Sequence, residues 1–194
     1  MRLALISTKG GTGKTTSAVY LATALHRIGR TLLVDADPQL SALTWSQQGD
    51  GLPFTVISLP VRDLHKRVAD LGDGFEHVVL DTPPGDLGII RSAIMAASVA
   101  VVPVAPTGLD LNRLRPTFEV LADLEPSHPV EVGVLLTKVR WGTRSAREAR
   151  EVLGELGYPV LDAEIPLAEM YAGSFGSAPA DLGRYGDLLT ELKS

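Results

Sequence analysis

The sequence predicts an α/β fold: a doubly wound, mostly parallel sheet with helices on both faces. Three observations predict it. Short apolar runs alternate with helical patterns along the 194 residues, the βαβαβα order of an open parallel sheet. Several runs are near-continuous Val, Leu and Ile, as in strands covered on both faces. The first run, Leu3-Ala4-Leu5-Ile6, passes through a glycine-rich turn into a helical pattern, the strand–turn–helix setting of a phosphate cradle. The length fits one domain, 1–194, with a sizeable core.

The elements follow in order. A strand over Leu3–Ser7 leads to a helix starting near Lys14, with Ala18, Leu21, Ala22, Leu25 and Ile28 at helical spacing. The second strand, Thr31–Asp35, is stopped by Pro38, and a helix begins near Leu40. Strands at Phe54–Ile57 and His77–Asp81 flank a helix from near Val61. Helices from near Leu87 and Asp110 bracket the strand Val99–Val104. The last strand expected is Val132–Thr137, with helices from near Ser145 and Asp181. The Gly/Ser/Pro-rich stretch Ala172–Ala180 reads as a mobile loop before the final helix.

Composition narrows the function. The chain has no cysteine, which removes disulfides, thiolate metal sites and iron–sulfur clusters and fits a reducing compartment. No apolar run is long enough to span a bilayer, and the N-terminus runs directly into the first strand without a signal-peptide pattern. The net charge is −5, so any nucleic-acid contact must come from a local basic patch. His26, His65, His77 and His128 lack ligand spacing and read as structural; Trp45 reads equally as core or surface.

The run Thr8-Lys9-Gly10-Gly11-Thr12-Gly13-Lys14-Thr15-Thr16 carries the strongest chemistry. Glycines let backbone N–H groups close round phosphate oxygens at a helix N-terminus. Lys14 would reach the β- and γ-phosphates, and the Thr15 hydroxyl would hold Mg²⁺. The second strand ends Asp35-Ala36-Asp37-Pro38-Gln39, which puts two carboxylates at the same end of the sheet as the glycine loop. Asp37 is placed to orient a water, either the attacking one or one on Mg²⁺, while Asp35 also reads as a turn cap. A third carboxylate, Asp81, follows Val78-Val79-Leu80, the arrangement that accepts hydrogen bonds from Mg²⁺-bound waters. Thr82 follows it, where many fast ATPases carry a glutamate base, so hydrolysis is expected to be slow.

The loop departs from G-x-x-x-x-G-K-[ST] at Thr8 and adds Lys9 at its mouth. This form, K-G-G-x-G-K-T, resembles the deviant Walker A motif of the ParA/MinD family. Asp35 to Gln39 resembles the D-x-D-P-Q segment of ParA proteins, and Ser41-Ala42-Leu43-Thr44-Trp45-Ser46 resembles the short ParF-like members. The resemblance implies a P-loop NTPase fold and a slow, partner-stimulated ATPase using ATP and Mg²⁺. It implies an ATP-bridged homodimer in which Lys9 touches the partner's nucleotide. It also implies non-specific DNA binding, a ParB-like or other adaptor, no membrane, a cytoplasmic, nucleoid-associated location, and partition or positioning of a plasmid, chromosome or other cargo. The Pro83-Pro84-Gly85 turn resembles the family's γ-phosphate-sensing switch, and Pro103 and Pro106 resemble prolines near the dimer contact. By the same resemblance Lys138, Pro166 and Leu167 flank the adenine. Leu167 stands where an Arg often follows the Pro, and no DNA-contacting Arg follows shortly after it.

Arg140, Trp141, Arg144, Arg147 and Arg150 form the cationic cluster of note. The last three recur every third residue and share one broad side of a helix. They read either as a phosphate-binding patch or as a solvated face paired with Glu148 and Glu151. Other readings of the whole chain are a MinD-like membrane switch, a small-molecule ligase of the dethiobiotin-synthetase kind on the same fold, or a nucleotide-gated module without useful hydrolysis. The first needs a C-terminal amphipathic helix, which Leu188 to Ser194 is too short and too weakly basic to supply.

Overall fold

The computed structural model describes residues 1–111, 113–140 and 142–194. Its strands are β1 (Arg2–Leu5), β2 (Thr31–Asp35), β3 (Thr55–Ser58), β4 (His77–Asp81), β5 (Val99–Val104), β6 (Glu131–Val139) and β7 (Val160–Pro166). They form one sheet in the order β3-β2-β4-β1-β5-β6-β7, parallel at every pairing.

Helices cover both faces. On one side Leu3, Leu5, Leu33, Val79, Val101 and Leu135 pack under α1 (Lys14–His26), α2 (Ser41–Gln47), α8 (Glu169–Ala172) and α9 (Arg184–Glu191). On the other, Ala4, Val34, Leu80, Val102 and Val134 pack under α3 (Leu64–Gly72), α4 (Leu87–Ala96), α6 (Arg115–Leu124) and α7 (Arg144–Glu155). A short α5 (Gly108–Leu111) lies before α6. The alternation of side chains along each strand divides the core into these two layers. Among the described residues no helix is long and apolar enough to cross a membrane.

Six strands are expected and seven are found among the described residues. Strand β7 is an edge strand of mixed polarity that ends in Pro166, so neither an apolar run nor clean alternation marks it. The helix expected from Asp110 is instead the single turn α5 followed by α6, whose first turn carries Pro116. The helices expected from Val61 and Asp181 begin three residues later, at Leu64 and Arg184. Pro103 lies inside β5, paired with Leu135 of β6, within the expected strand Val99–Val104.

The Ala172–Ala180 stretch is fastened to α2 and the segment that follows it. The Trp45 indole N–H donates to the Ser177 carbonyl at 2.9 Å, and Gly51 N–H donates to the Gly176 carbonyl at 3.2 Å. Trp45 is buried, at 4% exposure.

Candidate phosphate and metal site

The carboxyl ends of the parallel strands converge on the loop between β1 and α1. Gly11 and Gly13 take φ of 73° and 90°, values open to glycine and costly for other residues. Gly13 is the N-cap of α1 and no side chain caps it, so the first N–H groups of the helix stay available to an anion. Lys14 is 5% exposed, and its ammonium donates to the Lys9 carbonyl at 2.9 Å, spanning the loop. Burial pulls the Lys14 pKa down, opposed by Asp81 and Asp37.

Register brings the carboxylates together. Asp81 of β4 lies beside Asp35 of β2 on one side and Leu5 of β1 on the other. Asp35 is fully buried and accepts from Asp37 N–H at 3.1 Å and Leu43 N–H at 2.9 Å. It therefore caps the turn and holds the start of α2 in place. Asp37 lies half-buried at the mouth and accepts from Gln39 N–H at 2.9 Å.

Asp81 is different. It is fully buried, and neither carboxylate oxygen has a hydrogen-bond partner among the described residues. Burial is the main cause that pushes its pKa to about 7; Asp35 and Asp37 add to the rise, while the Thr15 hydroxyl and Lys14 pull it down. A buried carboxylate without partners is a costly arrangement. One beside Thr15, Asp37 and a phosphate loop fits a hard divalent cation with its waters, whose ligands are oxygens. The next residue has no such freedom: the Thr82 hydroxyl donates to the Leu5 carbonyl at 2.7 Å.

Lys9 has a partner within its own chain, which sequence reading did not foresee. Its ammonium is ion-paired with Asp110 of α5, a side chain only 7% exposed. The Pro83-Pro84-Gly85 turn sits against the loop: a side-chain carbon added at Gly10 would stand 3.8 Å from Pro84.

Beside the loop lies a pocket of about 150 Å³ lined by Thr16, Lys138, Pro166 and Leu167, together with Thr137, Ala168, Tyr171 and Tyr185. The expected base-flanking residues are thus brought together. Thr137 lies in the strand end that leads to Lys138; Tyr171 gave no signal in the sequence. Lys138 has φ of 55°, and its ammonium donates to the Gly11 carbonyl at 2.7 Å, while the Thr137 hydroxyl donates to the Thr12 carbonyl at 2.9 Å.

The arginine cluster divides. Arg140, Arg144 and Arg147 are exposed around a cleft of about 370 Å³ at the start of α7, and Arg144 stands 3.5 Å from Glu148. Arg150 turns inward, donating to Glu164 at 2.9 Å and to the Leu161 carbonyl at 2.8 Å. Trp141 lies outside the described residues.

The chain belongs to the family described as CobQ/CobB/MinD/ParA nucleotide binding domain, whose sequence profile matches residues 3–177. It is 40% identical over 169 residues to maintenance of carboxysome distribution protein A of Gloeobacter kilaueensis, covering 84% of this chain and 75% of that one. It is 32% identical over 219 residues to the chromosome-partitioning ATPase Soj of Thermus thermophilus, covering 92% and 87%. Its fold superposes on apo McdA of Cyanothece with a TM-score of 0.83 at 18% identity, covering 100% of this chain and 99% of that chain. It superposes also on cobyrinic acid a,c-diamide synthase of Mycobacterium smegmatis, solved with an ATP analogue and magnesium, with a TM-score of 0.78 at 23% identity and 100% and 95% coverage.

Proposed function

We propose that this chain is an ATP-driven positioning switch. It binds ATP with Mg²⁺ at the β1–α1 loop, dimerises face to face around two nucleotides, and in that state holds DNA without sequence preference. An adaptor of the ParB kind stimulates hydrolysis and resets it. The cargo is of the class for which the relatives are named, a carboxysome or a chromosome. The unit spans residues 1–194 and works in the cytoplasm, on the nucleoid.

The observation that carries the reading is the pair of lysines. Lys14 already supplies the cation inside the loop. Lys9 stands outside it at the mouth, 29% exposed and ion-paired with Asp110. A second cation there suits phosphates that arrive with another subunit, as an arginine finger does in trans. Thr15, Asp37 and Asp81 would hold Mg²⁺ directly or through its waters. Bound there, the ion offsets triphosphate charge and stabilises charge developing on the leaving phosphate. Thr82 follows Asp81 and carries a hydroxyl, donated to the Leu5 carbonyl, where a carboxylate base would speed hydrolysis, which supports slow turnover. Exposed Arg140, Arg144 and Arg147 supply a local basic patch on a chain of net charge −5.

Light scattering with and without ATP and Mg²⁺ tests this. The wild type should double in mass with ATP, Lys9→Gln should bind ATP yet stay monomeric, and Lys14→Ala should do neither. A Lys9→Gln protein that dimerises as well as wild type overturns the switch.

A further inference from the structure

Resemblance assigns Lys138 to the base. The geometry points to a different role, shared with its neighbour in β6. We propose that Thr137 and Lys138 form a clasp that holds the phosphate loop in its anion-binding shape before nucleotide arrives. This rests on the reading of the β1–α1 loop as the nucleotide site. Both are positioning residues, since they act through the loop.

Successive side chains on a strand point to opposite faces, so two neighbours do not normally grip the same segment. Here they do, because Lys138 is in the left-handed region at φ 55°, which disfavours every residue but glycine. Such a conformation persists when surrounding contacts hold it. Lys138 is exposed, so burial does not place it there. What it gains is the 2.7 Å bond to the Gly11 carbonyl, beside the 2.9 Å bond from Thr137 to the Thr12 carbonyl.

The consequence follows from peptide geometry. A trans peptide points its N–H opposite its C=O. Tying the Gly11 and Thr12 carbonyls to β6 turns the N–H groups of Thr12 and Gly13 away from β6, toward the interior of the loop that Lys14 spans. The positive φ of Gly11 and Gly13 is thereby fixed in advance. A free glycine loop would have to be ordered by the ligand, at the expense of affinity. Preset N–H donors are the form of stabilisation that charged phosphate groups use best.

The Lys138 stem also lines the base pocket, so the test must separate base packing from loop positioning. Thr137→Val keeps shape and loses the hydroxyl; Lys138→Met keeps the stem and loses the ammonium; Thr137→Ser restores the hydroxyl. Hydrogen exchange of the Gly11 to Lys14 amides is measured without nucleotide, and affinity is measured by calorimetry for ATP and for tripolyphosphate, which has no base. The clasp predicts exchange at those amides about tenfold faster in Thr137→Val and in Lys138→Met. It predicts about tenfold weaker binding of both ligands alike, with Thr137→Ser near wild type. Lys138→Met alters an exposed side chain and carries the test alone if Thr137→Val fails to fold. Unchanged loop exchange, or a loss confined to ATP, overturns the proposal. A wild type that binds neither ligand overturns the nucleotide reading instead, and the exchange result still decides the clasp.

Discussion

Replacing Asp81 by asparagine should stabilise the nucleotide-free protein increasingly as pH rises. The carboxyl ordinarily titrates near 3.9, and in the folded chain burial pushes it to about 7. Below about pH 4 both folded and unfolded chains hold the proton, and Asp81 is neutral in each. Between about pH 4 and pH 7 the unfolded chain releases its proton while the folded chain keeps it, so rising pH favours unfolding. Above that window the folded chain carries a buried charge that the Thr15 hydroxyl and Lys14 only partly offset. The shift of about three units corresponds to roughly 4 kcal/mol of stability withheld from the wild type at high pH. Asparagine removes the titration; any cost of its own buried amide is independent of pH, so the change in the gap is the informative quantity. Urea denaturation of both proteins without Mg²⁺, at steps from about pH 4 to pH 8, measures it. Parallel stability profiles would refute the reasoning. With ATP and Mg²⁺ the order should reverse, because ligand stabilises only a chain that can hold the ion.

Asp110→Asn should free Lys9, and the ATP concentration that half-dimerises the protein should fall several-fold; a light-scattering titration that superposes on wild type counts against this. Asp37→Ala should bind ATP within a few-fold of wild type and lose about a hundredfold in phosphate release; unchanged turnover removes Asp37 from the chemistry. Changing Arg144 and Arg147 together to Glu should weaken ATP-dependent DNA binding on all sequences alike and flatten its salt dependence by about two units per protomer. Undiminished binding at low salt would leave the patch a solvated helix face. Arg150→Ala should instead lower the melting temperature, because its guanidinium ties α7 to Glu164 and Leu161 of β7.

The fold class was legible because central parallel strands are apolar on both faces, and β2, β4 and β5 match expectation residue for residue. The edge strand β7 was not, since an edge needs neither a continuous apolar run nor strict alternation. The site was legible wherever local sequence carries the chemistry: the glycine loop with Lys14, and the acidic strand ends. It was silent on partnerships across the sheet. Asp110 lies 101 residues from Lys9 in the chain, and Thr137 is 125 residues from Thr12. Spacing likewise groups Arg150 with Arg144 and Arg147, but the arrival of β7 beside α7 decides which way its side chain turns.

The fastened loop bears on how the molecule can be followed in a living cell. By composition Ala172–Ala180 looks like the natural place to splice in a fluorescent reporter. Yet a side-chain carbon at Gly49 would stand 2.5 Å from the Gly176 carbonyl, so the segment after α2 and this loop touch backbone to backbone. Extra chain there would prise α2 from its seat and disturb the turn that carries Asp37. Gly74 has open space around it, with no heavy atom within 4 Å of an added side-chain carbon. It lies between α3 and β4, at the end of the sheet opposite the phosphate loop. A reporter carried between Asp73 and Gly74 leaves the phosphate-loop end of the sheet untouched, so the proposed positioning can be tested in a tagged chain whose candidate site is intact.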